Sequence, residues 1–396
     1  MRDEFGNPLS CSSPDAVRAY DRAVDLHLHA LPGVPEALDA AIAAQADFAL
    51  PHALRALVLA PRDMAKARES LARAREAPAT AREQSFVDLV ALILEGRTIE
   101  AMHAVLTHCE AHPTDALAAS TTLGAYGVIA FSGRADHDRA RLDFLEGIAP
   151  HYPQDFPWLL TNRGWARIEC GDVAEGLAMT LRAIGLRRDN GHNAHHVMHG
   201  YYETGDPEAA LSFLEEWLPD YPDHALMWGH LQWHAALAEL SLGREEAATR
   251  RLMGPILSYL PRGLPFMGLA DIASILWRMQ LRGLSPLPWG AAHALAERHF
   301  AQGSNAFGEI HLAMLAAQRS DREALDAALG RLRALEERGY EGARAAAEWV
   351  RALRATLDDA LDRAREHAEA CRREVVRVGG SHAQRSIVDS TLEALA

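Results

Sequence analysis

The chain has 396 residues and a formal net charge of −14, with 54 acidic residues against 40 basic ones. That balance argues against a general nucleic-acid binder, which needs a basic stripe to displace counterions from phosphates. Apolar residues make up 49% and charged residues 24%, so a large core can form and an ordered chain is expected.

No run approaches the roughly 18 apolar residues of a membrane span. The opening residues, Met1 to Leu9, are polar and carry no apolar leader, so the expected location is the cytoplasm. Cys11, Cys109, Cys170 and Cys371 are scattered, and no pair has C-x-x-C spacing. They read as reduced thiols, mostly buried.

In chain order, residues 1–16 are expected to form an irregular arm, because Pro8, Ser10, Ser12, Ser13 and Pro14 crowd that stretch. Helical periodicity follows, rich in Ala, Leu, Arg and Glu. A glycine-to-proline interval then recurs: Gly96 to Pro113, Gly133 to Pro150, Gly205 to Pro222 and, one residue late, Gly243 to Pro261. With Gly171, the glycines stand 37, 38, 34 and 38 residues apart. Such a period marks stacked helical hairpins, each burying its apolar face against its neighbours.

Taking each glycine as a hairpin turn puts a small residue five positions on, where two helices approach closely: Ala101, Gly176, Ala210 and Ala248. Asp138 breaks that pattern in the second repeat. Beyond Pro261, helices are predicted over roughly 267–282 and 289–302, with another hairpin near Ser320-Asp321 followed by Ala324 and Leu325. Two long helices fill 341–376 and end at Gly379-Gly380, and a last helix starts near Ser381. The expected fold is all-α: a tetratricopeptide-like, right-handed helical-hairpin solenoid with degenerate repeats. It forms a single domain over 17–396, closed by C-terminal capping helices.

Seven of the 20 histidines fall between residues 192 and 234. They include the i,i+4 pairs His195/His199 and His230/His234, and residues four apart share one helix face. The repeat register puts both pairs on concave-facing positions, with Tyr202 and Glu203 beside them. One repeat earlier, Trp158, Thr161, Asn162, Trp165 and Glu169 take the equivalent places.

Three readings stay open for this cluster. The histidines fill tight packing; or they line a ligand pocket with the aromatics; or they bind a metal such as zinc, iron, nickel or copper. The H-E-x-x-H fingerprint of a metalloprotease is absent, since His196 stands where its glutamate belongs. Glu203 is the nearest candidate for an acid ligand or base. Neither a G-x-S-x-G elbow nor a phosphate-binding glycine loop occurs. The string Val378-Gly379-Gly380-Ser381-His382 reads as a helix C-cap followed by a serine N-cap.

The chain resembles the tetratricopeptide repeat protein 38 family over about residues 20–392. The resemblance rests on Arg82-Glu83-Gln84, His112-Pro113-Thr114-Asp115, His195-x-x-x-His199, His230-x-x-Trp233-His234, His311 and Gly379-Gly380-Ser381-His382-Ala383-Gln384-Arg385. Family members carry histidines at the places matching His195, His199, His230, His234 and His311. This chain departs from the pattern at Tyr201-Tyr202-Glu203 and at Gly308-Glu309-Ile310-His311. The resemblance implies the fold and a shared pocket, and no established activity. It further suggests that Gln384 and Arg385 reach the histidine groove, Arg385 meeting a carboxylate or phosphate.

The expected function is recognition of a small molecule or short peptide end. The pocket would be lined by Trp158, Asn162, Trp165, His195, His199, Tyr202, Glu203, His230, His234, His311, Gln384 and Arg385. One alternative is a metal-dependent or acid/base enzyme, hydrolytic in type, with His195, His199, His230 and His234 holding zinc, iron or nickel. The other is a protein-interaction scaffold. No nucleic-acid or membrane partner is expected, and a homo-oligomer is left open.

Overall fold

A computed structural model describes residues 1–396. The chain is helical throughout, and the only bridge between extended segments joins Arg2 and Pro8. The arm ends slightly earlier than expected, because Ser13 caps a helix over Pro14–Leu28 and accepts the Ala16 N–H. A serine N-cap followed by proline, whose fixed φ suits the first helical position, is sufficient reason. The arm is nevertheless anchored: Leu9 and Cys11 are buried, and the Ser10 N–H donates to Glu83 at 3.1 Å.

Consecutive helices pack as hairpins. Pro14–Leu28 lies on Val34–Ala44, Ala49–Leu59 on Met64–Glu76, Ala81–Leu94 on Thr98–Ala111 and Pro157–Glu169 on Val173–Leu186. The recurring glycines behave as turn residues. Gly96, Gly133, Gly171, Gly205 and Gly243 all have φ between 67° and 91°, a conformation that L side chains resist. Of the residues five positions on, Ala101, Ala210 and Ala248 are buried.

Gly176 shows why that position must be small. A Cβ there would stand 2.5 Å from the Gly164 carbonyl oxygen and 2.8 Å from the Ile168 side chain. The two helices therefore touch backbone to backbone. Asp138, the exception in sequence, instead forms an ion pair with Arg141 one turn on.

The second repeat lacks a full first helix. Only Ala116–Ser120 is helical before a series of turns. The Ser120, Thr121 and Thr122 hydroxyls each donate to a carbonyl three residues back, at 2.7–2.8 Å. Gly124 and Gly127 follow at once. Side chains that compete for backbone groups, then glycines, end the helix.

After Pro261 come helices Pro265–Leu281, Trp289–His299, Ala306–Gln318, Arg322–Glu337, Gly342–Thr356 and Leu361–Glu374, close to the expected boundaries. Ser381 caps the short helix His382–Arg385 in a reciprocal box with Gln384, and Ile387–Ala394 closes the chain.

Packing resolves into two compact units. The first comprises Met1–Ile129, Asp138–Thr204 and Leu214–Trp228; the second comprises Ala130–His137, Gly205–Phe213 and Gly229–Ala396. The first unit buries Phe48, Phe86, Leu54 and Trp158 in its core. In the second, Trp233, Trp349, Ile272 and Leu276 are buried. The four cysteines are free thiols, all buried except the half-buried Cys170. No helix is long and apolar enough to cross a membrane.

Candidate functional site

His195 and His199 belong to the first unit, His230 and His234 to the second. Each pair is built by its own neighbours.

In the first unit the pair sits on helix Gly191–Thr204, whose start is held tightly. The Gly191 N–H donates to the His29 carbonyl at 3.0 Å, and a Cβ on Gly191 would meet the Tyr221 hydroxyl at 2.3 Å. Asn190 accepts the Asn193 N–H at 3.1 Å, and Asn193 donates to the Thr180 carbonyl at 3.0 Å. Gly200 lets the helix press on Leu177, whose Cδ1 would lie 2.7 Å from an added Cβ.

The result is a fixed imidazole pair. The ε-nitrogens of His195 and His199 stand 2.9 Å apart, with ring planes at 84°. Both residues are buried. Glu169, at the end of helix Pro157–Glu169, brings Oε1 to 3.2 Å from His199 Nδ1. The distance is that of an ion pair, but the angles fall outside a hydrogen bond.

Trp165, one turn earlier on the same helix, is sandwiched. The Arg141 guanidinium lies 4.0 Å from its ring centroid, and His196 stacks nearly parallel at 4.9 Å. His196 Nδ1 faces the Thr161 carbonyl at 3.2 Å. Burial pushes the His196 imidazole well below its ordinary range, with His192 and His199 adding to the effect. The indole N–H of Trp165 is buried with no hydrogen-bond partner, an arrangement that costs about 1–3 kcal/mol unless a bound species accepts it.

Two further imidazoles of this unit, His27 and His192, are half-buried. Burial drives His27 down to about 4 and His192 to about 3, the latter helped by His27 and His29. Both are neutral at physiological pH and keep a lone pair.

In the second unit, helix Trp228–Ser241 presents His230 and His234. His230 Nδ1 donates to Asp271 Oδ1 at 2.8 Å, and both side chains are buried. Burial raises the Asp271 carboxyl above its ordinary value, and His230 opposes the shift. Trp233 stacks on His230 at 5.2 Å with planes 9° apart. Its N–H donates to Ser274 at 3.0 Å, and Ser274 in turn bonds to the Asp271 carbonyl. Ligand-capable nitrogens of His230 and His234 lie within 4.8 Å of each other. With Nδ1 taken by a carboxylate, His230 offers Nε2 outward, the arrangement found around metal-bound histidines.

The other expected site residues are distributed as follows. Trp158 lies in the first unit's core beside Tyr152 and Phe156. Asn162 donates to the Trp158 carbonyl at 2.7 Å on its own helix. Tyr202 and Glu203 are half-buried at the end of helix Gly191–Thr204.

His311, Gln384 and Arg385 are in the second unit. His311 Nδ1 donates to the Phe307 carbonyl at 2.8 Å, while its Nε2 is buried without a hydrogen-bond partner. Burial lowers this imidazole to about 4. Gln384 accepts the Ser381 N–H at 3.0 Å, and Arg385 donates to the Gly380 carbonyl. Both thus shape the glycine-rich cap that the string Gly379-Gly380-Ser381 announces.

The repeat register placed Glu169 on the inner face without marking it as a site residue, and it did not mark Asp271. A signal for Asp271 existed: it is a lone carboxylate within the apolar stretch Leu269-Ala270-Asp271-Ile272-Ala273, and such residues are rarely buried unpaired.

No family model matches the chain. Among solved structures it is similar to the tetratricopeptide repeat domain of P58(IPK), at 16% identity and TM-score 0.24, over 96% of this chain and 88% of that one. It is also similar to Naa15/Naa10 bound to HypK-THB, at 13% identity and TM-score 0.24, over 91% of this chain and 63% of that one. At such scores neither likeness bears on function. What stands from the chain itself is an all-α array of helical hairpins with a buried, carboxylate-flanked imidazole pair in each unit.

Proposed function

We propose that this is a binding protein whose imidazole pairs hold a small species, and that a divalent transition-metal ion suits the pair His230/His234 best. The observation behind this reading is the 2.8 Å bond from His230 Nδ1 to buried Asp271. It fixes the orientation of the ring and turns Nε2 away from the carboxylate, as carboxylates do for metal-bound imidazoles. Zinc, iron and nickel all accept such ligands. The 2.9 Å between the ε-nitrogens of His195 and His199 fits the same chemistry. Two nitrogens each roughly 2.0–2.1 Å from one ion stand about 2.9 Å apart at a right angle and about 3.3 Å apart at zinc's tetrahedral angle, so the spacing suits a square-planar or octahedral ion and would have to widen for zinc. A bound ion would supply Lewis acidity and an activated water, which is the route to the hydrolytic alternative.

A second reading is favoured by one residue. The unpartnered N–H of Trp165 cannot serve a cation and suits an acceptor oxygen, such as that of a small carboxylate or a peptide end. We place the chain in the tetratricopeptide repeat protein 38 family on the same proposal footing, and a scaffold role stays the third reading.

Elemental analysis of tag-free protein separates the first two readings. The metal reading expects an ion near stoichiometry, lost in His230→Ala/His234→Ala; less than ~0.1 equivalent, without rescue by added zinc, iron or nickel, removes it. His195→Ala and His199→Ala report on the first unit's pair by itself. For the scaffold reading, partner capture that survives His199→Ala/His234→Ala would put the binding surface away from the histidines.

A further inference from the structure

The strings Arg82-Glu83-Gln84 and His112-Pro113-Thr114-Asp115, singled out in the sequence, take no part in the histidine pairs. Within the first unit they frame another polar chain. Ser85, half-buried on helix Ala81–Leu94, places Oγ 3.0 Å from His108 Nδ1. His108, on helix Thr98–Ala111 with its side chain fully out of solvent, brings Nε2 to 3.1 Å from Asp115 Oδ2. Asp115 is itself held on both oxygens: it caps helix Ala116–Ser120, Oδ1 accepting the Ala118 N–H at 3.1 Å, and its Oδ2 also takes the Arg82 guanidinium.

The protons in this chain can be assigned. Burial alone would raise the Asp115 carboxyl, but the His108 hydrogen bond and the Arg82 charge overcome it and hold the group down at about 2. An ionised carboxylate only accepts, so His108 carries its proton on Nε2. In the neutral imidazole Nδ1 is then a lone pair, and the Ser85 hydroxyl is the donor facing it. A hydroxyl donating to an imidazole whose far nitrogen is held by a buried carboxylate is the arrangement of an activated nucleophile. Here the imidazole bridges with its two nitrogens exchanged relative to the common protease order.

We propose that Ser85, His108 and Asp115 form a nucleophilic serine site that accepts acyl or phosphonyl groups from activated esters. Ser85 Oγ bonds to the acyl carbon as its proton passes to His108 Nδ1. The bond to the leaving alkoxide then breaks, and the alkoxide takes that proton from His108. Water, deprotonated by His108 in its turn, releases the acid and restores Ser85. Asp115 stays ionised throughout and stabilises the imidazolium. Arg82 draws on the same carboxylate, which weakens that stabilisation and makes the site a slow one.

The test uses the full chain and a fluorophosphonate probe. Ser85 Oγ bonds to phosphorus, fluoride leaves, and His108 takes the proton. Intact mass and peptide mapping are expected to show one adduct, on Ser85, absent from Ser85→Ala. In His108→Gln and Asp115→Asn the labelling rate is expected to fall at least tenfold with the helical circular dichroism unchanged. Ser85→Cys, which keeps the geometry, is expected to alkylate with iodoacetamide faster than the four native thiols. No adduct on the folded wild type, or an adduct that persists in Ser85→Ala, would overturn the proposal. Equal labelling rates in folded His108→Gln and wild type would overturn it as well.

Discussion

The two histidine pairs share a sequence pattern and differ in what completes them. Both are i,i+4 pairs on a helix, and both have an indole lying flat on a neighbouring imidazole, at 4.9 Å for Trp165 on His196 and 5.2 Å for Trp233 on His230. In the second unit a carboxylate makes a true 2.8 Å hydrogen bond to Nδ1, which fixes the direction of Nε2. In the first unit the carboxylate stands 3.2 Å away without hydrogen-bond angles, and the two ε-nitrogens face each other. Helical spacing therefore sets which imidazoles are neighbours. The group arriving from another helix sets what they can do.

The largest effect expected is loss of binding. His230→Ala/His234→Ala removes both candidate ligands of the second unit, and equilibrium dialysis with zinc should show saturable binding disappear. Next comes Asp271→Asn, expected to lower metal affinity roughly 10–100-fold, the usual penalty for losing an outer-shell carboxylate. Glu169→Gln should cost clearly less. Equal losses in the two variants would break the comparison, because they would mean the hydrogen-bond geometry is irrelevant.

A backbone test reaches only the first unit. Gly176→Ala puts a methyl against the Gly164 carbonyl and should destabilise by about 1–3 kcal/mol, read as a fall in Tm. Gly185→Ala, on the same helix with open space around the added carbon, should be neutral or slightly stabilising. If the two behave alike, the close approach that positions Trp165 and Glu169 is not real.

The smallest expected effect is on acid sensitivity. His27, His192 and His311 have folded values of about 4, 3 and 4 against an ordinary 6.5. Between those values and 6.5 the unfolded chain binds more protons than the folded one, so stability falls as pH drops through that window. Chemical denaturation from pH 7 to pH 4 should show the decline, and His192→Gln should flatten it. A slope unchanged in that variant would remove His192 as a contributor.

The hairpin periodicity was legible because it depends on local chemistry. A turn needing positive φ selects glycine, and helices in backbone contact select Gly176 or Ala101. The stretch after Ala116 was not legible from the period alone. There, competition from the Ser120, Thr121 and Thr122 hydroxyls overrides it. The imidazole pairs could be read from spacing, since i,i+4 is a property of one helix. The pairing of Asp271 with His230 and the Ser85–His108–Asp115 chain could not, since the partners come from different helices. Asp271, for instance, lies 41 residues from His230. The cap at Gly379-Gly380-Ser381 was readable from Ser381 and Gln384, which satisfy each other's backbone groups within four residues.

The most direct measurement of the central idea is calorimetric titration of metal-stripped, tag-free protein with zinc, run beside Asp271→Asn. Saturable binding near one equivalent, weakened by roughly one to two orders of magnitude in the variant, is the predicted result. Heat no greater than dilution for the wild type, or an isotherm identical in the variant, would contradict it.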